Sequence, residues 1–130
     1  MTKEKYIAYV EDDPEDVLLL QEAFEGIEGA DVRPFEDGSA LLLFLKAVTD
    51  GRYPCLIVLD QTTYGMTALE TVAQLRESPA FSAIPVAILT AEASPRNKHT
   101  YEQEGIALFI KPDYVEGWQA LGKNFSAYCD

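Results

Sequence analysis

Basic residues are scarce in this chain: 10 Lys and Arg stand against 22 Asp and Glu, a formal net charge of −12. That balance argues against a general nucleic-acid binder and against a binder of anionic membranes, since both partners are themselves densely negative. Long apolar runs are missing too, and nothing approaches the roughly 18 residues that a membrane span requires. The N-terminus, MTKEKYIAYVEDD, has only a short apolar stretch soon ended by acids, unlike a signal peptide. A soluble, cytoplasmic protein is expected. Cysteine is limited to Cys55 and Cys129, far apart and without metal or redox spacing. Cys55 lies in an apolar run and is expected in the core, Cys129 on the tail, both compatible with a reducing compartment. The one histidine, His99, falls in a polar stretch and reads as a solvated helix residue. No repeat or low-complexity segment is visible.

What remains is enough for one domain, residues 1–130, with an apolar share of 48% that suffices for a core. Lys5 to Val10 reads as a strand. Asp13-Pro14 is a helix start, an N-cap followed by proline in the first turn. Val17, Leu20, Phe24 and Ile27 then form one helical stripe. Asp31 to Phe35 is a second strand, placed at a sheet edge by Pro34. Asp37-Gly38 turns, Ser39 caps, and ALLLFLKAV is a second helix. Cys55 to Leu59 is a continuous apolar strand of the kind buried on both faces in parallel sheets. A third helix covers Met66 to Arg76 and a fourth strand Pro85 to Thr90. Ser94-Pro95 opens a polar fourth helix that Gly105 ends. Ile106 to Ile110 is the last strand, followed by a stripe of Val115, Trp118, Leu121, Phe125 and Tyr128. Five strands alternating with five helices imply a parallel sheet covered on both faces.

In such sheets ligands bind beyond the carboxyl ends of the strands, so those positions carry the functional expectation. Glu11 and Asp12 follow the first strand, Asp60 the third, Thr90 ends the fourth, and Lys111-Pro112 follows the fifth. Each residue alone has an ordinary explanation: acids complement a helix dipole, with Glu15 and Asp16 read in that way, Asp13 is a cap, Asp60 a turn residue, Lys111 a solvated lysine. Together they mean more. Carboxylates brought to about 5 Å repel by roughly 3 kcal/mol per pair at an effective dielectric near 20. Such a cluster stays partly protonated or binds a cation. Oxygen donors without nearby His or Cys favour Mg²⁺. A lysine and a hydroxyl opposite it complete a clamp for a phosphoryl group, whose transfer depends on positioning and charge neutralisation.

The segments YVEDDPED, CLIVLDQTTYGMTALE, IPVAILTAEA and IALFIKP, in this order and spacing, resemble the receiver family of two-component signalling over nearly the whole chain. The resemblance implies a flavodoxin-like (βα)5 three-layer α/β sandwich with strand order 2-1-3-4-5. It implies Asp60 as phosphoacceptor, Glu11, Asp12 and the backbone carbonyl of Thr62 as Mg²⁺ ligands with Asp60, Thr90 as the hydroxyl that moves toward the phosphoryl group, and Lys111 as its cationic partner in a cis Lys111-Pro112 peptide. Thr62 and Glu92 match positions that tune acyl-phosphate lifetime. The implied phosphodonor is a histidine kinase or phosphotransfer protein, because His99 is a poor internal one. Output is implied to pass to a downstream protein through the fourth helix, fifth strand and fifth helix. The protein is expected not to be a classified enzyme, although it would catalyse its own aspartyl phosphorylation and dephosphorylation.

Two positions depart from the family. Tyr64 stands where the loop after the acceptor usually has proline. Leu108 stands where a switch Tyr or Phe is usual, and Phe109, one step along, points to the opposite face. These leave room for a degenerate receiver that docks partners without phosphorylation. A haloacid-dehalogenase-type aspartyl phosphatase would carry a second acid where Thr62 stands. An FMN carrier would need a phosphate loop where EDDPED stands.

Overall fold

A computed structural model describes residues 4–61, 63 and 65–130. Expectations for Thr62 and Tyr64 lie outside the described residues. The chain runs β1 (Lys5–Val10), α1 (Pro14–Glu25), β2 (Ala30–Phe35), α2 (Gly38–Ala47), β3 (Ile57–Leu59), α3 (Ala68–Arg76), α4 (Pro79–Ser82), β4 (Val86–Thr90), α5 (Pro95–Gln103), β5 (Ala107–Ile110) and α6 (Val115–Ser126), and closes in a 3₁₀ turn over Ala127–Cys129. The strands form one parallel sheet of order β2-β1-β3-β4-β5. Pro34 lies on β2, which has β1 as its one neighbour, so its missing N–H faces no second strand.

Alternation along the central strands divides the core in two. Ala8, Val10, Ile57, Leu59 and Ile88 pack with Leu41 and Leu45 of α2, Val72 and Leu75 of α3 and Tyr101 of α5. Ile7, Tyr9, Val58 and Leu89 pack with Leu20 and Phe24 of α1 and Trp118, Leu121 and Phe125 of α6. The result is the expected three-layer α/β sandwich. Its caps agree with the sequence at Asp13, whose carboxylate accepts from the Glu15 N–H at 2.9 Å, and at Ser94, whose hydroxyl accepts from the Asn97 N–H at 3.1 Å. Gly105, at φ +70°, takes the left-handed turn that leads into β5.

Several expectations need correcting. The cap of α2 is Asp37: its extended backbone lets the carboxylate accept from the Ala40 N–H at 2.8 Å, so the helix starts before Ser39. Helix α3 starts after Thr67, which forms a capping box with Glu70. β3 begins two residues later than the apolar run. The short α4 adds a sixth α-helix among the described residues, and Ser78-Pro79 carries the same start signal as Ser94-Pro95. The last stripe is buried only in its middle: Val115 is 60% exposed and Tyr128 41%. The cysteines are not separate core and tail residues. Cys55 and Cys129 form a disulfide with Cα atoms 5.2 Å apart. Both are held at the start of β1, where the Cys55 N–H donates to the Tyr6 carbonyl at 2.9 Å and Lys5 Nζ donates to the Cys129 carbonyl at 2.7 Å.

Candidate functional site

Backbone pairing continues one residue past the ends of β1, β3 and β5. The Glu11 N–H donates to the Phe35 carbonyl at 2.9 Å, the Asp60 N–H to Val10 at 3.0 Å, and the Lys111 N–H to Thr90 at 2.8 Å. The sheet therefore sets Glu11, Asp60, Thr90 and Lys111 along one edge. Glu11, Asp60 and Thr90 are buried, and for the two carboxylates burial is rare unless they are partnered.

Their partner is Lys111. Its ammonium donates to Glu11 Oε1 at 2.5 Å, to Asp60 Oδ2 at 2.7 Å and to Asp16 Oδ2 at 2.8 Å. All three of its donors are engaged by carboxylates. Burial lowers the Lys111 pKa, but the contacts with Asp16, Asp60 and Glu11 outweigh that and raise it above the ordinary lysine range. Glu11 goes the other way: burial first, and its contact with Asp60 next, push its carboxyl up to about 7, with Lys111 pulling back only in part. The Tyr9 hydroxyl donates to Glu11 Oε1 at 3.2 Å, and the Asp13 N–H donates to Oε2 at 3.2 Å. Asp12 is exposed beside this group.

The structure thus brings together Glu11, Asp60 and Lys111 as expected, and adds Asp16. Sequence reasoning gave Asp16 only a dipole role. The one hint in the sequence was its place in the first turn of the helix that Pro14 begins, four residues after Asp12. Thr90 lies at the same edge, but its hydroxyl donates to the Glu92 carbonyl at 3.3 Å; the Glu92 residue itself is exposed. Leu108 is half-buried against the core on the α2, α3 and α5 side, while Phe109 packs edge-on against Phe125 on the other, ring centroids 5.1 Å apart. Gln61, next to Asp60, accepts from the buried Tyr101 hydroxyl at 2.7 Å.

The expected cis Lys111-Pro112 peptide is absent; the bond is trans, the ordinary preference even before proline. In that form the Pro112 carbonyl accepts from the Trp118 indole at 3.1 Å. The Pro112 ring also fills the space over Gly117, where a β-carbon would fall 2.4 Å from Pro112 Cβ.

The donors fit Mg²⁺ in kind. They are hard carboxylate oxygens, and Glu11 is in a setting where a further cation relieves crowding. No group of acids among the described residues is already spaced as a metal cage, and Lys111 is the cation that lies between them.

A doubly covered parallel sheet whose edge gathers carboxylates around one lysine defines an α/β domain with its polar site at the carboxyl ends of its strands. The response regulator receiver domain family matches residues 7–114. The chain belongs to that family. A curated relative, the probable methanogenesis regulatory protein FilR2 of Methanothrix harundinacea, is 30% identical over 127 residues, covering 94% of this chain and 81% of its own. Among solved structures, the phosphorylated cyanobacterial phytochrome response regulator RcpA superposes with a TM-score of 0.82 at 22% identity, covering 96% of this chain and 93% of its own. The Mn²⁺-bound form of response regulator Rcp1 gives 0.79 at 21%, covering 96% and 94%. The Vibrio cholerae chemotaxis protein CheY4 gives 0.75 at 20%, covering 93% and 98%. At these identities the structures establish the fold.

Proposed function

We propose that these 130 residues form one receiver domain that accepts a phosphoryl group on Asp60 from a histidine kinase or phosphotransfer protein. The observation that carries this reading is the buried Asp60 carboxylate, held 2.7 Å from Lys111 Nζ beside Glu11 at the carboxyl end of the sheet. An Asp60 oxygen attacks the donor's phosphorus, the P–N or P–O bond to the donor breaks, and the leaving group takes a proton from solvent. Lys111 turns to a phosphoryl oxygen, and the Thr90 hydroxyl exchanges the Glu92 carbonyl for the phosphoryl group. Glu11, Asp12, Asp60 and the Thr62 carbonyl would hold Mg²⁺, which would neutralise the incoming charge. Glu92 and Thr62 set the lifetime of the acyl phosphate, and the chain catalyses its own phosphorylation and dephosphorylation.

Output passes to a protein through α5, β5 and α6. Three apolar side chains at the end of β5 and the start of α6 are exposed there, Ile110 at 47%, Tyr114 at 75% and Val115 at 60%, and are open to a partner. We place the protein in the cytoplasm, away from nucleic acid and membrane; no described helix is long and apolar enough to cross a membrane. A cytoplasmic location requires Cys55 and Cys129 to be reduced or only transiently bonded there. A second reading, phosphorylation-independent docking, is favoured by Leu108 and would leave the Lys111 cluster as a permanent structural lock.

Incubation with acetyl phosphate and Mg²⁺ separates the two. The receiver reading expects one hydroxylamine-labile phosphoryl group on Asp60, lost in Asp60→Asn. Modification elsewhere, or none with any donor, favours docking.

A further inference from the structure

We propose that Asp16 is a positioning residue for Lys111, keeping the ammonium over Asp60 while its other two partners are engaged elsewhere. The inference rests on the receiver reading above. Lys111 Nζ has three donors and uses them on Glu11, Asp60 and Asp16 at 2.5, 2.7 and 2.8 Å. Glu11 and Asp60 have further work in that reading, one toward the cation, the other toward phosphorus. Asp16 has none. It is set by the first turn of α1, whose cap at Asp13 and proline at Pro14 fix where that turn begins. Its side chain is largely buried, 21% exposed against 13% for Lys111, so this is not a loose surface pair.

A lysine stem has four rotatable bonds, and its free ammonium prefers water. With Glu11 and Asp60 engaged by Mg²⁺ and a phosphoryl group, Asp16 is the remaining protein carboxylate that keeps the stem folded inward. It leaves the other two ammonium donors for phosphoryl oxygens. Without Asp16, Lys111 either swings outward or stays wholly on Glu11 and Asp60.

The test compares wild type, Asp16→Asn and Asp16→Glu by calorimetry with Mg²⁺ alone, then with Mg²⁺ and beryllofluoride, a phosphoryl mimic. It also reads the Lys111 ε-methylene signals by NMR, both in metal-free protein and in the beryllofluoride complex. The loss of one charge-assisted hydrogen bond should weaken beryllofluoride binding about tenfold in Asp16→Asn. Mg²⁺ affinity should stay within about twofold, since Asp16 is no ligand in this scheme. In the beryllofluoride complex the Lys111 methylene protons, distinct in the wild type, should merge in Asp16→Asn as the side chain loses its last carboxylate. In metal-free protein, where Glu11 and Asp60 still hold the ammonium, they should only draw closer together, and Asp16→Glu should restore part of each effect. Equal beryllofluoride affinity in wild type and Asp16→Asn, or a parallel fall in Mg²⁺ affinity, overturns the proposal. If wild type binds no beryllofluoride, the receiver reading itself fails, and the metal-free Lys111 signals still decide whether Asp16 orders the lysine. If Asp16→Asn does not fold, Asp16→Glu carries the comparison.

Discussion

Lys111 stands at the centre of the site, and its neighbours divide into those the sequence suggested and one it did not. Glu11 and Asp60 were legible because each directly follows an apolar strand, where α/β sheets present their ligands. Asp16 was not, because only the direction in which α1 leaves the sheet turns its side chain toward Lys111. The carboxyl of Glu11, pushed up to about 7 by burial and then by Asp60, has a consequence for stability. The folded state holds this proton over a range where the unfolded chain has released it. Metal-free stability should therefore fall as pH rises from about 4.5 toward 7 and remain lower above that. Glu11→Gln should flatten this part of the profile, and Mg²⁺ should offset the loss. Denaturant titrations across that range check the sign; a rise in stability attributable to Glu11 contradicts it. Removing Lys111 leaves buried carboxylates without their cation, so Lys111→Ala should destabilise metal-free protein by roughly 3 kcal/mol. Thr90→Ala, which removes a 3.3 Å hydrogen bond to a backbone carbonyl, should cost about 1 kcal/mol. Equilibrium unfolding of the two variants decides; equal losses would show that the lysine is dispensable to the cluster.

Most strands and helices were readable where a cap or a buried run marked them, though the short α4 behind Ser78-Pro79 was not. β1 begins and ends at the expected residues, and α1 and α5 start at the two proline caps. Where two signals compete within a few residues, as at Asp37 and Ser39, tertiary placement chose between them. The departure at Leu108 also belongs to this scale. It faces the α2, α3 and α5 side, and Phe109 is locked edge-on to Phe125 on the opposite side, so neither provides the usual swinging aromatic. The same core contains Tyr101, the one buried residue of α5, whose hydroxyl reaches Gln61 beside Asp60. Change at Asp60, the proposed acceptor, thus has a bonded route through Gln61 and Tyr101 into α5 that does not run along β5. Beryllofluoride should shift amide NMR signals most around 61–66 and 90–93, with Tyr101 following and β5 responding less. Tyr101→Phe should reduce the α5 response. If the largest shifts run along Leu108 and α6, leucine transmits the signal and this route is wrong.

Over the whole molecule, the fold class was legible because alternation of apolar strands and capped helices leaves few topologies. The strand order came with the family resemblance. The Cys55–Cys129 bond was not legible: its partners are 74 residues apart, and only the return of the last helix to the start of β1 brings them together. Closing a loop of that size should stabilise the oxidised chain by roughly 4 kcal/mol on the chain-entropy account. Reduction, or Cys129→Ser, should lower the denaturation midpoint accordingly; an unchanged midpoint contradicts a formed bond. A charge of −12 adds diffuse self-repulsion, so moderate salt should raise stability as it screens it. The central claim is that the strand-end cluster is a phosphoryl site, and a crystal structure with Mg²⁺ and beryllofluoride tests it most directly. The account predicts beryllium bonded to an Asp60 oxygen, Lys111 on a fluorine while still held by Asp16, and the metal among Glu11, Asp12 and Asp60. Lys111 still locked on Glu11 and Asp60, with the mimic absent or bound elsewhere, would contradict it.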